Sequence, residues 1–257
     1  MQQQREKTLL RLNKALSRAG ICSRRRAEEL IRQGQIQVNQ ETVQDLGRKI
    51  DPSLDRIQVQ GKDIHLASQE RIQHLHLALH KPAGVVCTLH DPQGRTCIPD
   101  LLPAHLQGSR LLPAGRLDCM SEGILILSTD GELIQSATHP SHQVSKTYQV
   151  LLREDLDHKQ LQIMRQGMRL QEGQILAPVQ ARILGPEPKK GIWLELVLTQ
   201  GLNRQIRRMC RDLGLTVLRL IRTRQGPVHL SNLPPGQTRP LSSKELARLQ
   251  GPSKKGG

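Results

Sequence analysis

No phenylalanine, one tryptophan (Trp193) and one tyrosine (Tyr148) occur in the 257 residues. Aromatic rings are the largest pieces from which buried cores are assembled. A chain without them has to build its interior from Leu, Ile and Val, and the 36% hydrophobic content is ample for that. At ~150 residues per domain the length corresponds to about two domains, enough for at least one sizeable core.

Charge narrows the class of partner. Lys and Arg number 38 against 23 Asp and Glu, a formal net charge of +15. Such an excess calls for a polyanion, and nucleic acid is the first candidate. No apolar run approaches the ~18 residues of a membrane span, and the start, MQQQREKTLL, lacks the apolar stretch of a secretory leader. A cytoplasmic chain without membrane contact is expected. The five cysteines, Cys22, Cys87, Cys97, Cys119 and Cys210, are odd in number and include no Cys-x-x-Cys pair. Scattered reduced thiols are therefore expected, not a disulfide framework or a zinc site. His74, His76 and His80 alternate along one strand, but no Cys or carboxylate joins them, and no metal is expected there.

Residues 8 to 34 read as two short helices. Leu9, Leu12, Leu16 and Ala19 recur at helical spacing up to Gly20. Ser23 then caps a second helix, with Arg24, Arg25 and Arg26 in its first turn and Ala27, Leu30 and Ile31 inside. Cations at a helix N-terminus oppose the helix dipole, so an external anion would relieve them. From Arg5 to Arg32 there are nine Lys/Arg and three Asp/Glu. Short strands follow at Gln35–Val38 and Asp55–Val59, with turns at Asn39-Gln40 and Gln60-Gly61-Lys62. Ala67–Gln73 reads as a linker.

Beyond it, strands are expected at Leu75–His80, Gly123–Ser128, Thr147–Leu152, Ala177–Leu184 and Trp193–Thr199. Helices are expected at Glu132–Thr138, Asp157–Gln166 and Asn203–Leu213. Turns and loops, not regular crossover helices, separate most of these strands, which favours an α+β domain on a largely antiparallel sheet. Residues 249–257, ending GPSKKGG, read as a disordered basic tail.

Three segments could carry chemistry. In AGRLDCMSEGILILSTDG (114–131), Arg116 and Asp118 lie in a polar turn before a fully apolar strand, a common setting for a catalytic group; a surface pair capping a turn is the alternative. In TQGLNRQIRRMCR (199–211), Arg204, Arg207 and Arg211 form a cationic stripe on a helix whose other side, Ile206, Met209 and Cys210, faces a core. Seven Arg and one acidic residue lie between Arg204 and Arg224. Tyr148 offers the planar side chain that stacking on a nucleobase requires.

Residues 9 to 68, from RLNKALSRAGICSRRRAEELIRQGQIQVNQ to DRIQVQGKDI, resemble the S-four-like RNA-binding domain named after a small-subunit ribosomal protein. Residues 75 to 248 resemble the pseudouridine synthases of the RsuA/RluB type, on KPAGVVCT, GRLDCMSEGILILSTDGEL, THPSHQVSKTYQV, TQGLNRQIRRM and LRLIRTRQGP in that order. Ser121 stands where that family often has Thr, and Cys119-Met120 is an unusual filling. The resemblance implies a small N-terminal α/β RNA-binding domain followed by a catalytic domain on a largely antiparallel mixed sheet.

It also implies a reaction: isomerisation of particular uridines in ribosomal RNA to pseudouridine, without a cofactor. Asp118 corresponds to the catalytic carboxylate, acting as nucleophile on the sugar or as base toward the neighbouring sugar carbon. Arg207 should pair with it and favour its ionised form. Tyr148 should pack on the target base, and Arg116 should accompany the flipped-out state. Lys14, Arg24, Arg25, Arg26, Arg204 and Arg208 are the expected RNA contacts. The front domain and the DPQGR segment (Asp91–Arg95) lean toward the large-subunit RNA. Small-subunit RNA or tRNA, and a non-catalytic assembly factor, are the alternatives. A monomer is expected.

Overall fold

A computed structural model describes residues 9–66 and 74–250; the expected linker at 67–73 and residues 251–257 of the expected tail lie outside them. The chain divides into two compact units, Met1–Gln73 and His74–Gly257.

In the first unit, helix α1 (Leu12–Arg18) and helix α2 (Arg24–Arg32) pack on a small antiparallel sheet. The first helix begins at Leu12, three residues after the Leu9 that opens its apolar spacing. Leu10–Arg11 is instead a strand, β1, paired with Lys49–Ile50, β4, which takes the backbone groups a longer helix would need. Ser23 caps α2 as its sequence predicts, its Oγ accepting from Arg26 N at 3.1 Å. The main sheet runs β3 (Glu41–Thr42), β2 (Ile36–Val38), β5 (Ile57–Val59), β6 (Lys62–Ile64). Both tight turns lie where expected, with positive φ at Asn39, Gln40, Gln60 and Gly61, the backbone that two-residue hairpins require. Leu12, Leu16, Ile31, Ile36, Ile50 and Ile57 form the fully buried centre of an all-aliphatic core.

The second unit is built on a nine-stranded sheet. Its strands are β7 (His76–Lys81), β8 (Leu112–Pro113), β9 (Glu122–Ser128), β10 (Lys146–Leu152), β13 (Gln180–Glu187), β14 (Gly191–Leu198), β15 (Val217–Gln225), β16 (Val228–His229) and β17 (Thr238–Pro240). A separate hairpin joins β11 (Met168–Arg169) to β12 (Ile175–Leu176). The order along the main path is β13-β14-β10-β15-β9-β7-β17, antiparallel except where β15 lies parallel to β9. This is the mixed, largely antiparallel α+β architecture expected.

Helices α4 (His158–Gln166) and α5 (Gln205–Asp212) cover one end of the sheet, burying Met164, Met209 and Cys210 against Val150, Leu194 and Leu196. Helices α3 (Gly131–Thr138) and α6 (Ser243–Gln250) cover the other end, against Ile124 and Ile126. The opposite face of β9, Leu125 and Leu127, packs under Ile98, Leu102 and Leu111. Burial on both faces explains why the sequence ILIL is continuously apolar instead of alternating.

Several boundaries differ from the sequence reading. The strand expected from Ala177 begins at Gln180, because Ala177 N donates to Gln200 Oε1 (3.0 Å) and Val179 N to Met164 O (3.3 Å). The helix expected from Asn203 begins at Gln205, with Arg204 at φ 48° immediately before it. Strand β15 was not foreseen, its alternation hidden among arginines. Leu249 and Gln250, expected in the tail, close α6, and Leu249 is buried in the core.

Candidate active site

The loop Ala114–Ser121 that carries Asp118 is tied down almost residue by residue. Ala114 N donates to Ile126 O (2.7 Å), and its carbonyl accepts from the buried Gln225 Nε2 (2.8 Å). Arg222, 1% exposed, donates Nε to Ile124 O (2.8 Å) and reaches Arg116 O with Nη1 at 3.5 Å. Leu117 N donates to Cys87 Sγ (3.3 Å), and Ser121 N donates to Asp118 O (3.0 Å), closing a tight turn. Cys119 O accepts from Gly84 N (2.9 Å) and from Lys81 Nζ (3.1 Å). Met120 O accepts from Arg207 Nη2 (2.9 Å).

Lys81, the last residue of β7, is completely buried, and its ammonium also donates to Pro82 O at 2.7 Å. Burial lowers its pKa; the nearby Cys87, Cys119, Glu122 and Asp118 act in the opposite direction. Gly123 lets β9 approach β15 closely: at φ 113°, a Cβ there would run into the Arg222 backbone. Neither Lys81 nor Arg222 stood out as functional in the sequence. The signal for Lys81 was a cation ending the apolar strand HLALHK; for Arg222 it was an arginine on an alternating strand.

The half-buried Asp118 lines an open cavity of about 80 Å³ together with Arg116, Tyr148, Arg204 and Arg207. Residues from the β8–β9 loop, β10 and α5 thus converge from three parts of the sequence. Ser121, Gln200, Gln205 and Leu220 complete much of its wall. Tyr148 is half-buried in the cavity wall, and its hydroxyl makes no hydrogen bond among the described residues.

Two expectations need correction. Arg207 does not form an ion pair with Asp118: its Nη2 is used by Met120 O, and its buried Nε has no hydrogen-bond partner among the described residues. Burial lowers the Arg207 pKa, Asp118 opposes that through space, and Arg204 reinforces it. The charge of Arg207 thus reaches Asp118 without contact, because the guanidinium is held against the loop backbone. Arg208, expected on RNA, is instead tied within the protein, with Nη1 on Gln174 Oε1 (2.8 Å) and Nη2 near Glu172 Oε2 (3.4 Å). Glu172 also holds Arg211 at 2.6 Å, and these partners lower its pKa to about 2, Arg211 foremost. Part of the cationic stripe is therefore neutralised internally, leaving Arg204 and Arg207 beside Asp118.

In the first unit, Arg24, Arg25 and Arg26 are exposed at the start of α2 and Lys14 is half-buried on α1. Arg26 pairs with Glu29 at 3.0 Å; no such pair holds Lys14, Arg24 or Arg25 among the described residues. The three histidines each have a separate partner: His74 with Thr129 Oγ1, His76 with Ser128 Oγ and His80 with Leu233 O.

The sequence pattern of the family described as RNA pseudouridylate synthase matches residues 75–212, and that of the S4 domain matches residues 10–55. The chain is 37% identical to an uncharacterised RNA pseudouridine synthase of Aquifex aeolicus, over 93% of each chain. It is 36% identical to the ribosomal large subunit pseudouridine synthase B of Bacillus subtilis, over 93% of this chain and 95% of that one. Among solved structures, one described as a pseudouridylate synthase superposes with a TM-score of 0.66 at 28% identity, covering 93% of this chain and 99% of the other. All the residues lining the cavity around Asp118 except Leu220 lie within the synthase match, the helices with the exposed arginines lie within the S4 match, and the chain belongs to the RNA pseudouridine synthase family.

Proposed function

We propose that this protein isomerises specific uridines of large-subunit ribosomal RNA to pseudouridine, with Asp118 as the catalytic carboxylate. One observation carries the reading: a half-buried Asp118, on a loop whose carbonyls are pinned by Lys81, Arg207 and Arg222, shares a cavity with Tyr148 and three arginines. The likeness to a protein named for the large subunit supports the choice of RNA.

The reaction breaks the bond from N1 of uracil to C1′ of ribose, turns the base, and joins C5 to C1′. Asp118 acts on the sugar, as nucleophile at C1′ or as base at the adjacent carbon, and either role needs its negative charge. Arg207 and Arg204 line the same cavity and place positive charge near the reacting sugar. Tyr148 offers a stacking face to the base, and the exposed Arg116 of the cavity wall holds the base out of its stack, a step that costs a few kcal/mol. Lys14, Arg24 and Arg25, with Arg26 after release from Glu29, dock phosphates.

Asp118→Asn keeps the shape and removes the charge. Because joining C5 to C1′ displaces the C5 hydrogen, tritium release from 5-tritiated uridine in a large-subunit rRNA transcript reports turnover. Release should fall to background, while filter retention shows RNA binding kept. Turnover by the Asn variant at the wild-type rate would remove Asp118 from the chemistry.

A further inference from the structure

The cavity wall holds three buried polar groups that have no hydrogen-bond partner among the described residues: Ser121 Oγ, Gln205 Nε2 and Arg207 Nε. Ser121 is 1% exposed and Gln205 is 4% exposed. Buried polar groups in folded proteins are nearly always paired, so a cluster of unpaired ones around one cavity marks where a ligand completes the set. The orientation of Gln205 follows from its other bond. Leu202 N donates to Oε1 at 3.3 Å, and exchanging the amide's ends would set donor against donor. The free end is therefore the NH₂ group, which needs an acceptor.

We propose that Gln205 and Ser121 read the edge of the target uracil, with Gln205 Nε2 donating to one of its two carbonyl oxygens and Ser121 Oγ accepting from N3–H. The proposal rests on the uridine isomerisation proposed above and adds how that base is chosen. Uracil presents acceptor, donor, acceptor along O2, N3–H and O4, whereas cytosine places an amino donor at position 4. A buried donor left facing another donor rejects the wrong base strongly. The chemistry adds a second reason. Turning the ring about the axis through N3 and C6 brings C5 to the place of N1 and exchanges O2 with O4. The same edge is then presented to Gln205 and Ser121 before and after the turn, so both bonds can re-form with the product.

The test crosses enzyme variants with substrate analogues. Large-subunit rRNA transcripts are made with uridine, 2-thiouridine or 4-thiouridine triphosphate, sulfur being a poor hydrogen-bond acceptor. Gln205→Met removes the donor at similar length, and product is read by nucleoside analysis of digests. On uridine transcripts kcat/KM should fall about 30-fold. On one thio transcript the variant should differ from wild type by less than about threefold, because that bond is already lost, while the other shows the full defect. Equal losses on all three transcripts overturn the edge-reading role. Should the Met variant fail to fold, Gln205→Leu, which also removes the donor without adding a charge, carries the same comparison. Small-subunit and tRNA transcripts are assayed in parallel. Wild-type activity confined to those refutes the large-subunit assignment alone, and the variants are then compared on the active RNA. Wild-type inactivity on every transcript refutes both readings.

Discussion

Lys81 and Tyr148 show how single residues divide the work at this site. The Lys81 ammonium, buried beneath the turn, holds the carbonyls of Pro82 and Cys119. Lys81→Met preserves most of the volume and removes a buried charge, so the fold should lose only ~1 kcal/mol. The turn bearing Asp118 loses one of its ties, and kcat should fall about tenfold, with RNA binding unchanged. Thermal unfolding alongside tritium release separates the two effects, and wild-type kcat would remove Lys81 as a positioning residue. Tyr148 tests the opposite kind of contribution. Its hydroxyl has no partner among the described residues, so Tyr148→Phe should keep most activity. Tyr148→Leu should lose ~1–3 kcal/mol of transition-state stabilisation, the size of a base–aromatic contact. Equal, near-total loss in both variants would make the hydroxyl, not the ring, the working part.

Among the elements, the parallel contact between β9 and β15 brings the Asp118 loop to the cations of the later chain. Ile221 stands beside Glu122 and Arg222 beside Gly123. Gly123→Ala would need a positive φ and would drive its Cβ into the Arg222 backbone, so a loss of ~3 kcal/mol or more is expected, read as a lowered denaturation midpoint. Helix α6 is fastened differently. Glu245 accepts from Arg239 Nη1 and Nη2 at 2.9 and 2.7 Å, and from Ser242 N and Oγ. The Arg239 bonds first, then those from Ser242, lower its carboxyl pKa to about 2. An unfolded Glu titrates near ~4.3. Because the folded value is depressed, the stabilisation is complete above that pH and is lost as pH falls toward 2. Glu245→Gln should therefore cost ~1 kcal/mol at pH 7, after allowing for the partial exposure of the pair, and the gap from wild type should close in acid. A gap that persisted at pH 2 would show that charge is not what fastens α6.

At the scale of the whole molecule, each unit contains its own aliphatic core: one around Leu16, Ile31 and Ile57, the others around the nine-stranded sheet. Residues 74–257 alone should consequently fold and melt cooperatively. Removing the first unit takes away Lys14 and the α2 arginines, so rRNA affinity should drop and the slope of log affinity against log salt should flatten by roughly 0.7–0.9 per lost phosphate contact. Filter binding across a salt series measures this. An unchanged slope would exclude those residues from the RNA contact.

Local physics made much of this legible in the amino-acid order. Ser23 before an amphipathic run, Asn39-Gln40 after the alternating strand β2 and the apolar ILIL of β9 each encode their structure through contacts a few residues away. The aliphatic composition likewise determined what the cores are made of. The resemblance of the motifs located Asp118, Tyr148 and Arg207, but not how they meet. That depended on long-range packing. The backbone of Leu10–Arg11 became a strand because Lys49–Ile50 lay alongside it, and Leu249 joined α6 because a core was there to bury it. Arg207 turned to Met120 O, Arg208 to Glu172 and Gln174, and Lys81 under the Cys119 turn, each drawn by partners from 34 to 87 residues away in the chain. A charged side chain's partner is set by whichever opposite charge or carbonyl the fold brings within about 3 Å, and sequence spacing holds no record of that distance.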